Sequence, residues 1–310
     1  MTLHPDVIGI DIAKHRLDIY DALSAKHTSV PNQPEPLAEL IHTWRERACL
    51  VVFEATGPYD ALLRRALAGA GLRFVRVNPA RARDFARATG QLAKTDAIDA
   101  RVLAEMGRAL ALGAEPEPDP ARERLAALHR RRDQLVETRA GERTRLAEAR
   151  AAVSDSLESH IAWLDGEIAR LEGEIETLIG ETAELFEAAR LLRSAPGVGP
   201  VTASTLLALM PELGQRSGKA VAALAGLAPL NRDSGQRRGA RVIRGRRRRV
   251  RRALYMAALA AVRTHARFRE FYGAVLARRA ARKLALVAVA RKLLVILNAV
   301  LKTKTLFQPA

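Results

Sequence analysis

The sequence predicts an α/β N-terminal domain, a helical connector and a mostly α-helical C-terminal domain. Three observations predict this: strand patterns alternate with helix patterns up to residue 112, three prolines cluster between Glu115 and Pro120, and residues 121–190 contain no proline. Alternating strands and helices indicate a partly parallel sheet, and clustered prolines mark a domain boundary. We therefore divide the chain into residues 1–118, 119–190 and 191–310.

The first domain begins with a predicted β-hairpin. Within residues 6–20 the segment VIGIDIAKHRLDIY contains two alternating apolar runs, and CLVVFE (49–54) and LRFVRV (72–77) are short apolar runs that end at turn signals. Such runs are typical of half-buried and fully buried strands. Helical periodicity covers residues 59–70, resumes at residue 80 and extends again from 95 to 112. The domain is therefore expected to be a sheet covered by helices.

The connector is predicted to form a helical hairpin or coiled coil. Its apolar residues are separated alternately by four and three positions, which is the heptad spacing of a coiled coil; they are Leu157, Ile161, Leu164, Ile168, Leu171, Ile175 and Leu178. A heptad seam can join protomers, so we expect a homo-oligomer, either a dimer or a tetramer. A long helix that packs within its own chain has the same spacing, and the sequence leaves that alternative open.

Composition excludes several classes of protein. The single cysteine, Cys49, excludes a disulfide framework and a thiolate metal cluster. The N-terminal segment has no basic-then-apolar signal region, and the longest apolar stretch, from Leu284 to Leu301, is interrupted by Arg291 and Lys292. That stretch is predicted to be a buried helix and not a membrane span, so we expect a cytoplasmic protein with no membrane partner.

Basic residues are concentrated in one half of the chain. The whole chain has 51 Lys and Arg against 34 Asp and Glu, and residues 191–310 hold 25 of these basic residues but only three of the acidic ones. An arginine-rich genome would raise the charge throughout and does not explain this asymmetry. A surplus of this size favours binding to a polyanion, and nucleic acid is the commonest polyanion inside cells.

Four carboxylates in the first domain are candidate ligands of a metal ion. Asp11 lies within the first predicted strand, Glu54 ends the run CLVVFE, and Asp96 and Asp99 are three positions apart on one helix face. Oxygen-only ligands suit Mg²⁺ or Mn²⁺, and two such ions can hold the attacking and leaving oxygens of a phosphodiester exchange. The four acids are thus candidate catalytic residues as well as candidate metal ligands.

Each of these acids also has a purely structural alternative. Asp96 can cap a helix with Asp99 in its first turn, and Glu54 can cap the turn that follows it. Asp11 is the hardest to explain in this way, because an acid inside an apolar strand needs a partner. Asp18, on the next strand, is expected at the surface.

The C-terminal half contains two candidate nucleic-acid-binding features. The turn APGVGPVTA, residues 195–203, resembles a hairpin that grips a phosphate through backbone N–H groups, although a simple corner between two helices has the same pattern. Gly197 and Gly199 are its candidate contacts. Residues 232–252 hold 11 arginines and one acid. The arginines predicted to contact nucleic acid are Arg232, Arg237, Arg238, Arg241, Arg244, Arg246, Arg247, Arg248 and Arg249.

Ser234 lies within this arginine-rich segment, in the tripeptide Asp-Ser-Gly. A serine beside glycine is most often a turn residue, but neighbouring arginines would stabilise the charge on phosphorus if its hydroxyl attacked a phosphate. No histidine neighbours it in the sequence and no G-x-S-x-G elbow is present, which argues against a Ser-His-Asp hydrolase. The residues alone leave both the turn and the nucleophile open.

Taken together, these motifs resemble the DEDD transposases of the IS110 family, to which the Piv DNA invertases are related. The resemblance rests on GIDIAKHRLD, EATGPY and VNPARARDFARATGQLAKTDAIDARVLA in the first domain, and on PGVGPVTA and AGLAPLNRDSG downstream. Gly239, Gly245, Arg251 and the segment RKLL at 291–294 add to it. The resemblance covers nearly the whole chain in order, and only the helical connector lacks a distinctive string.

The resemblance implies a RuvC-like ribonuclease-H fold for the first domain. It further implies that Asp11, Glu54, Asp96 and Asp99 are a DEDD metal-binding set and that Ser234 is the catalytic serine. Similar enzymes are prokaryotic recombinases that join a circular element to its DNA target under the guidance of a structured non-coding bridge RNA. Strand cleavage is expected to leave a phosphoserine link, in a composite site shared between protomers.

We therefore expect a transposase that cuts and rejoins DNA through a phosphoserine, with Mg²⁺ or Mn²⁺ at the four acids. Two alternatives remain open. One is a junction endonuclease of the same fold that uses water as its nucleophile, and the other is a nucleic-acid-binding protein without catalytic activity. The presence of all four acids and of the serine argues against the second.

Overall fold

The structure is a computed structural model in which residues 6–55, 57–91, 95–114, 119–230, 242–243, 247–278 and 281–308 are described. By its internal contacts the chain divides into two compact units, Met1–Pro118 and Asp119–Ala310. In this division the predicted connector, residues 119–190, belongs to the same unit as the C-terminal helices. Each unit has hydrophobic clusters of its own.

A five-stranded mixed sheet forms the centre of the first unit. Its strands are β1 (Val7–Ile12), β2 (Arg16–Asp21), β3 (Lys26–Pro31), β4 (Leu50–Glu54) and β5 (Arg73–Val77). They lie in the order β3-β2-β1-β4-β5; the pairs among β1, β2 and β3 are antiparallel, and those among β1, β4 and β5 are parallel. The predicted hairpin and both further strands are present. This mixed sheet is consistent with the RuvC-like fold that the resemblance implies.

Helices cover both faces of this sheet. They are α1 (Pro34–Arg45), α2 (Ala61–Gly69), α3 (Pro79–Ala88) and α4 (Asp96–Ala109). Successive residues of a strand point to opposite faces of the sheet. On one face, Ile8 packs with residues of α1 and α2. On the other face, Val7 and Val52 pack with residues of α3 and α4. By the same alternation, Asp11 of β1 and Glu54 of β4 lie on the face that α4 covers.

Helix α4 lies directly against β1 because Gly9 has no side chain. A Cβ atom at Gly9 would lie 2.0 Å from the carbonyl oxygen of Ala100 and 2.5 Å from the backbone nitrogen of Ala104. Further along the helix, a Cβ atom at Gly107 would lie 2.8 Å from a methyl group of Val52. These distances are too short for any side chain, so the two glycines allow the close approach of α4. The first turn of α4 is thereby held beside the end of β1.

The second unit is built mainly of helices. They are α5 (Pro120–Glu148), α6 (Ala151–Glu181), α7 (Ala183–Arg193), α8 (Pro200–Leu209), α9 (Gly218–Leu224), α10 (Arg248–Thr264), α11 (Ala266–Ala277) and α12 (Arg282–Thr303). A short antiparallel pair, β6 (Pro229–Leu230) and β7 (Val242–Ile243), lies between α9 and α10. Each of these helices contributes residues to one main core cluster.

Helices α5 and α6 form the predicted helical hairpin. The heptad residues Leu164, Ile168 and Leu171 of α6 pack with Leu135 of α5, and the next two heptad residues belong to the main core. The first two heptad residues are partly exposed. Most of the seam is therefore covered by the chain's own helices, which agrees with the alternative of packing within one chain. These buried side chains cannot join protomers, and the homo-oligomer stays a prediction that needs another surface.

Helix α12 contains the long apolar stretch. Among the described residues it is the one helix long and apolar enough to cross a membrane, and half of its apolar window is buried inside the structure. It contacts α7, α9, α10 and α11. This packing is typical of a core helix.

Candidate active site and nucleic-acid interface

The four predicted carboxylates line one cavity of the first unit, which we call the acid cavity. Asp11 belongs to β1, Glu54 ends β4, Asp96 and Asp99 lie in the first turn of α4, and the cavity has a volume of about 550 Å³. The rest of its wall comes from α3, from the segment after it and from α4: Pro79, Ala82, Arg83, Ala86, Arg87, Gln91 and Val102. The fold thus brings together acids from three separate elements.

The start of α4 is set by Thr95 and not by Asp96. The side-chain oxygen of Thr95 accepts a hydrogen bond from the backbone N–H of Ile98 at 3.3 Å, which is the geometry of an N-cap. The alternative in which Asp96 caps this helix is therefore wrong. Asp96 and Asp99 occupy the first turn, where the helix dipole favours negative charge.

Asp11 lies in an environment that disfavours its charged form. Burial raises the pKa of Asp11 to about 6, with further contributions from the charges of Asp99 and Asp96. The charge of Asp18 acts in the same direction, and a backbone hydrogen bond at Ile12 acts against it. A carboxyl group with a raised pKa beside other carboxylates is typical of a functional site.

Asp18 is a fifth acid, next to the acid cavity, and its expected position at the surface is wrong. It is the partner of Asp11 across the β1–β2 ladder, so both side chains lie on the same face of the sheet. Asp18 is only 4% exposed. Its carboxylate accepts a hydrogen bond from Nε of Arg16 at 2.7 Å and lies 3.6 Å from Nε2 of His27. The register of the predicted hairpin is the signal that would have placed Asp18 beside Asp11.

Arg16 connects Asp18 to the acid cavity. Its Nη2 donates a hydrogen bond to Oδ2 of Asp96 at 2.5 Å, while its Nε is bound to Asp18. One guanidinium therefore contacts two carboxylates, of which one lies on the sheet and the other on α4.

The donor set of the acid cavity fits a hard divalent cation. All four candidate ligands are carboxylates, which Mg²⁺ and Mn²⁺ prefer. The pKa of Asp11 is raised by burial and then by the charges of Asp99 and Asp96, and a bound cation would relieve that repulsion. Within the part of the chain that the structure describes, no group of three or more His, Cys, Asp or Glu side chains is arranged to hold a metal ion. The carboxylates therefore have to move closer together before they can share one cation.

A basic groove, which we call the arginine groove, lies in the second unit between α5, α8 and α10. Its volume is about 930 Å³. It is lined by six arginines, which are Arg132, Arg139, Arg247, Arg248, Arg249 and Arg252. The acids Asp133 and Glu137 line it as well, and Val201 and Met256 add exposed apolar surface. This excess of positive charge favours contact with a phosphate backbone.

Ion pairs hold some of these arginines in place. Arg247 donates to both carboxylate oxygens of Glu212, at 2.8 and 2.6 Å, and Nε of Arg249 lies 3.0 Å from Asp133. Arg248 and Arg252 are exposed on α10. The groove therefore combines arginines oriented by acids with exposed ones.

The arginines of α5 are functional candidates that the sequence analysis misses. Arg132 and Arg139 lie seven positions apart on a helix that carries many other charged residues, so no local pattern distinguishes them. Packing of α5 against α8, which in turn packs against α10, brings them into the groove. A seven-residue spacing between basic residues, which places them on one helix face, is the only signal that the sequence offers.

The glycine turn before α8 has a structural explanation at one of its two candidate positions. Gly197 has a φ of +79°, and a Cβ atom there would lie 2.2 Å from the carbonyl oxygen of Ala257 on α10. Packing between this turn and α10 therefore requires glycine. Gly199 is exposed and immediately precedes α8. A contact of either residue with phosphate stays a prediction.

Several predicted site residues lie outside the residues that the structure describes. They are Ser234, Arg232, Arg237, Arg238, Arg241, Arg244 and Arg246. Arg247, Arg248 and Arg249 are described and line the arginine groove.

Two family models match separate parts of the chain. Residues 8–149 match the DEDD-type model of the IS110 family, which is described as a transposase. Residues 189–273 match a model described as the transposase IS116/IS110/IS902 family. The first match contains all four carboxylates of the acid cavity, and the second contains Ser234 and the arginine-rich segment.

Individual proteins are also similar to this chain. The pilin gene-inverting protein of Moraxella lacunata is 28% identical over 313 residues, which cover 95% of each chain, and that of Moraxella bovis gives the same values. The insertion element IS116 uncharacterized 44.8 kDa protein of Streptomyces clavuligerus is 36% identical over 127 residues, which are 40% of this chain and 32% of that protein. With both family models matching in order, the chain belongs to the IS110 family of transposases, enzymes that act on DNA.

Proposed function

We propose that this transposase cuts and rejoins DNA strands through a covalent phosphoserine on Ser234, with Mg²⁺ or Mn²⁺ held by Asp11, Glu54, Asp96 and Asp99. The observation that supports it most is the convergence of these four acids on one cavity of about 550 Å³. Like charges that face one another cost free energy, and a cation between them removes that cost. The DEDD-type domain of the family also indicates dependence on a divalent metal.

In this proposal the protein supplies the nucleophile and the orientation of the phosphate. A divalent cation bound by the acids would stabilise negative charge on the scissile phosphate. The oxygen of Ser234 bonds to phosphorus and its proton passes to a carboxylate. The bond from phosphorus to a deoxyribose oxygen breaks, and that oxygen takes up a proton and leaves as a hydroxyl. Attack of a second strand's hydroxyl on the phosphoserine reverses these steps, so rejoining needs no external energy source.

The arginine groove is proposed to hold nucleic-acid backbone. Arg248 and Arg252 support this most, because they are exposed and each can neutralise a phosphate. The other four arginines of the groove form ion pairs with acids of the same unit. We infer that both DNA and a structured non-coding guide RNA are bound by the basic half of the chain. We also infer that the enzyme acts as a dimer or tetramer in which the acids of one protomer and Ser234 of another form one site.

The serine is tested by trapping the protein covalently on DNA. Purified enzyme with its copurified RNA is incubated with Mn²⁺ and DNA that carries the ends of its own element, and the reaction is stopped with denaturant. The wild type is expected to give a protein–DNA adduct and a rejoined product. Ser234→Ala is expected to lose both and to keep nucleic-acid binding. Ser156→Ala, at an exposed serine of α6, is the matched control and should behave like the wild type.

The outcomes separate the alternatives. Recombination by the Ser234→Ala variant would show that the serine assignment is wrong, and cleavage without any adduct would identify an endonuclease that uses water. Asp11→Asn is expected to abolish cleavage with intact binding, whereas undiminished activity of that variant would refute the metal site. Sequencing of the copurified RNA is expected to give one structured species, and ribonuclease treatment should abolish recombination if that RNA is a guide.

A further inference from the structure

The guanidinium of Arg16 lies between two acids of the first unit. Its Nε donates to Oδ2 of Asp18 at 2.7 Å, and its Nη2 donates to Oδ2 of Asp96 at 2.5 Å. Arg16 is the first residue of β2 and Asp96 the first residue of α4. The bridge therefore connects the sheet to the helix that carries two of the candidate metal ligands.

The two contacts of this bridge differ in strength. Asp18 is 4% exposed, and a buried carboxylate that loses its cationic partner is costly, so the bond from Nε is hard to break. The Arg16 and Asp96 side chains are 52% and 53% exposed, and a pair of that kind contributes at most about 1 kcal/mol. A divalent cation can therefore displace Arg16 from Asp96 while Arg16 stays bound to Asp18.

We propose that Arg16 is a positioning residue that holds Asp96 in an ion pair and releases it when a divalent cation binds the carboxylates. This inference rests on the proposed metal site. After release, Nη2 remains at the cavity through the bond to Asp18 and can donate to a phosphate oxygen. Arg16 thereby couples cation binding to the capture of the scissile phosphate.

The competition between Arg16 and the cation is measurable without any activity assay. Mn²⁺ is titrated into the full-length protein, and free Mn²⁺ is followed by its electron paramagnetic resonance signal. Arg16→Gln removes the competing cation from Asp96, so the Kd for Mn²⁺ is expected to fall about fivefold, as the removal of one positive charge close to the metal predicts.

Arg83→Gln is the matched control, because it removes the same charge from the same cavity. Arg83 lines the acid cavity from α3, and its Nε donates to the carbonyl oxygen of Pro79 at 3.1 Å. Its substitution is expected to change the Kd for Mn²⁺ by less than about twofold, because its bond goes to a backbone carbonyl oxygen and only a general effect of charge is lost. Equal changes in the two variants would overturn the proposal in favour of a general effect of charge.

A second measurement uses the unaltered protein and does not depend on the folding of a variant. In an Arg-labelled sample, the bond from Nη2 of Arg16 to Asp96 restricts rotation of the guanidinium about its Nε–Cζ bond. Saturating Mg²⁺ is expected to release this rotation while the Nε–H signal keeps the shift of a hydrogen-bonded proton. Persistent restriction at saturating Mg²⁺ would overturn the proposal.

The same titration distinguishes failure of this inference from failure of the proposed metal site. If Asp11→Asn weakens Mn²⁺ binding but Arg16→Gln leaves it unchanged, the metal site stands and the role of Arg16 is wrong. If Asp11→Asn binds Mn²⁺ as tightly as the wild type, the metal site itself is refuted.

Discussion

The acid cavity of the first unit and the arginine groove of the second carry opposite charges and are balanced in different ways. In the arginine groove, acids of the same unit pair with the cations, as Glu212 does with Arg247 at 2.6 Å. In the acid cavity the carboxylates face one another, and burial together with the charges of Asp99 and Asp96 raises the pKa of Asp11 to about 6. The groove is therefore largely paired within its own unit. In the cavity Arg16 pairs with Asp96, but repulsion from Asp99 and Asp96 still acts on Asp11.

This difference shows that the two sites are maintained by different forces. Mutually repelling carboxylates have to be held in place by the packing of the backbone that carries them, and here the contact of α4 with Gly9 does so. Arginines that pair with nearby acids are oriented by those pairs. Changes in packing should therefore damage the acid cavity most, and changes in charge should act mainly on the groove.

The largest effect is expected from Gly9→Ala. The added Cβ would lie 2.0 Å from the carbonyl oxygen of Ala100, and because that atom belongs to the backbone, α4 has to move. Overpacking of this severity costs about 3 kcal/mol or more. The free energy of unfolding is measured with urea in a Trp163→Phe background, where the buried Trp44 of α1 is the remaining tryptophan and reports on the first unit.

Gly69→Ala is the control for the Gly9 substitution. Gly69 ends α2, and apart from its own stretch of helix no atom of the described residues lies within 4 Å of the position that its Cβ would take. Its substitution is expected to change the free energy of unfolding by less than about 0.5 kcal/mol. Equal stability of the two variants would show that α4 is not held against β1 at Gly9.

The candidate ligands of the acid cavity can be predicted from the sequence better than their surroundings can. Asp11, Glu54, Asp96 and Asp99 are recognisable because each occupies a defined position in a strand or helix. Strand β3 is missed because its residues KHTSVP are polar and mostly exposed, so they lack apolar alternation. The two glycine contacts of α4 are missed as well, because no local pattern shows which helix will cross a given strand.

Substitutions in the arginine groove should have an intermediate effect, on binding and not on stability. Arg248→Gln and Arg252→Gln each remove an exposed cation of α10. Together they are expected to weaken binding to nucleic acid about tenfold or more at low salt. They should also reduce the slope of log K against log salt by about 2, because each arginine neutralises about one phosphate. Fluorescence anisotropy over a salt series measures both.

Arg190→Gln is the control for these variants, since Arg190 is an exposed arginine of α7 that pairs with Glu187 and does not line the groove. An identical loss of slope in this variant would show that net charge, and not the groove, determines binding.

The groove itself is predictable from the sequence only in part. Arg248 and Arg249 lie in a dense basic segment, but Arg132 joins them only because α5 and α10 both pack against α8.

The smallest effect is expected from Asp11→Asn on the stability of the metal-free protein, and it has an unusual sign. The pKa of Asp11 is raised from 3.8 to about 6 by folding, so between these values the folded state binds more protons than the unfolded state. The free energy of unfolding of the wild type therefore falls as pH rises through this interval and stays lower above it. Asparagine carries no charge, so the free energy of unfolding of the variant does not fall in this way.

Asp11→Asn should therefore be more stable than the wild type by about 1 kcal/mol at pH 8. This value is smaller than the full pKa shift implies, because water screens the charges of this partly open cavity. The difference should vanish below about pH 3, where the wild-type carboxyl group is mostly protonated in both states. Urea unfolding at the two pH values in the presence of a chelator measures this difference in stability. The control is Glu39→Gln, at an exposed acid of α1 on the other face of the sheet.

Saturating Mg²⁺ should make the wild type the more stable protein at pH 8, because only the wild type keeps its full set of candidate ligands and gains the free energy of binding. A variant less stable than the wild type at pH 8 without metal would mean that Asp11 is neutralised within the fold, and the contrast between the two sites would be lost.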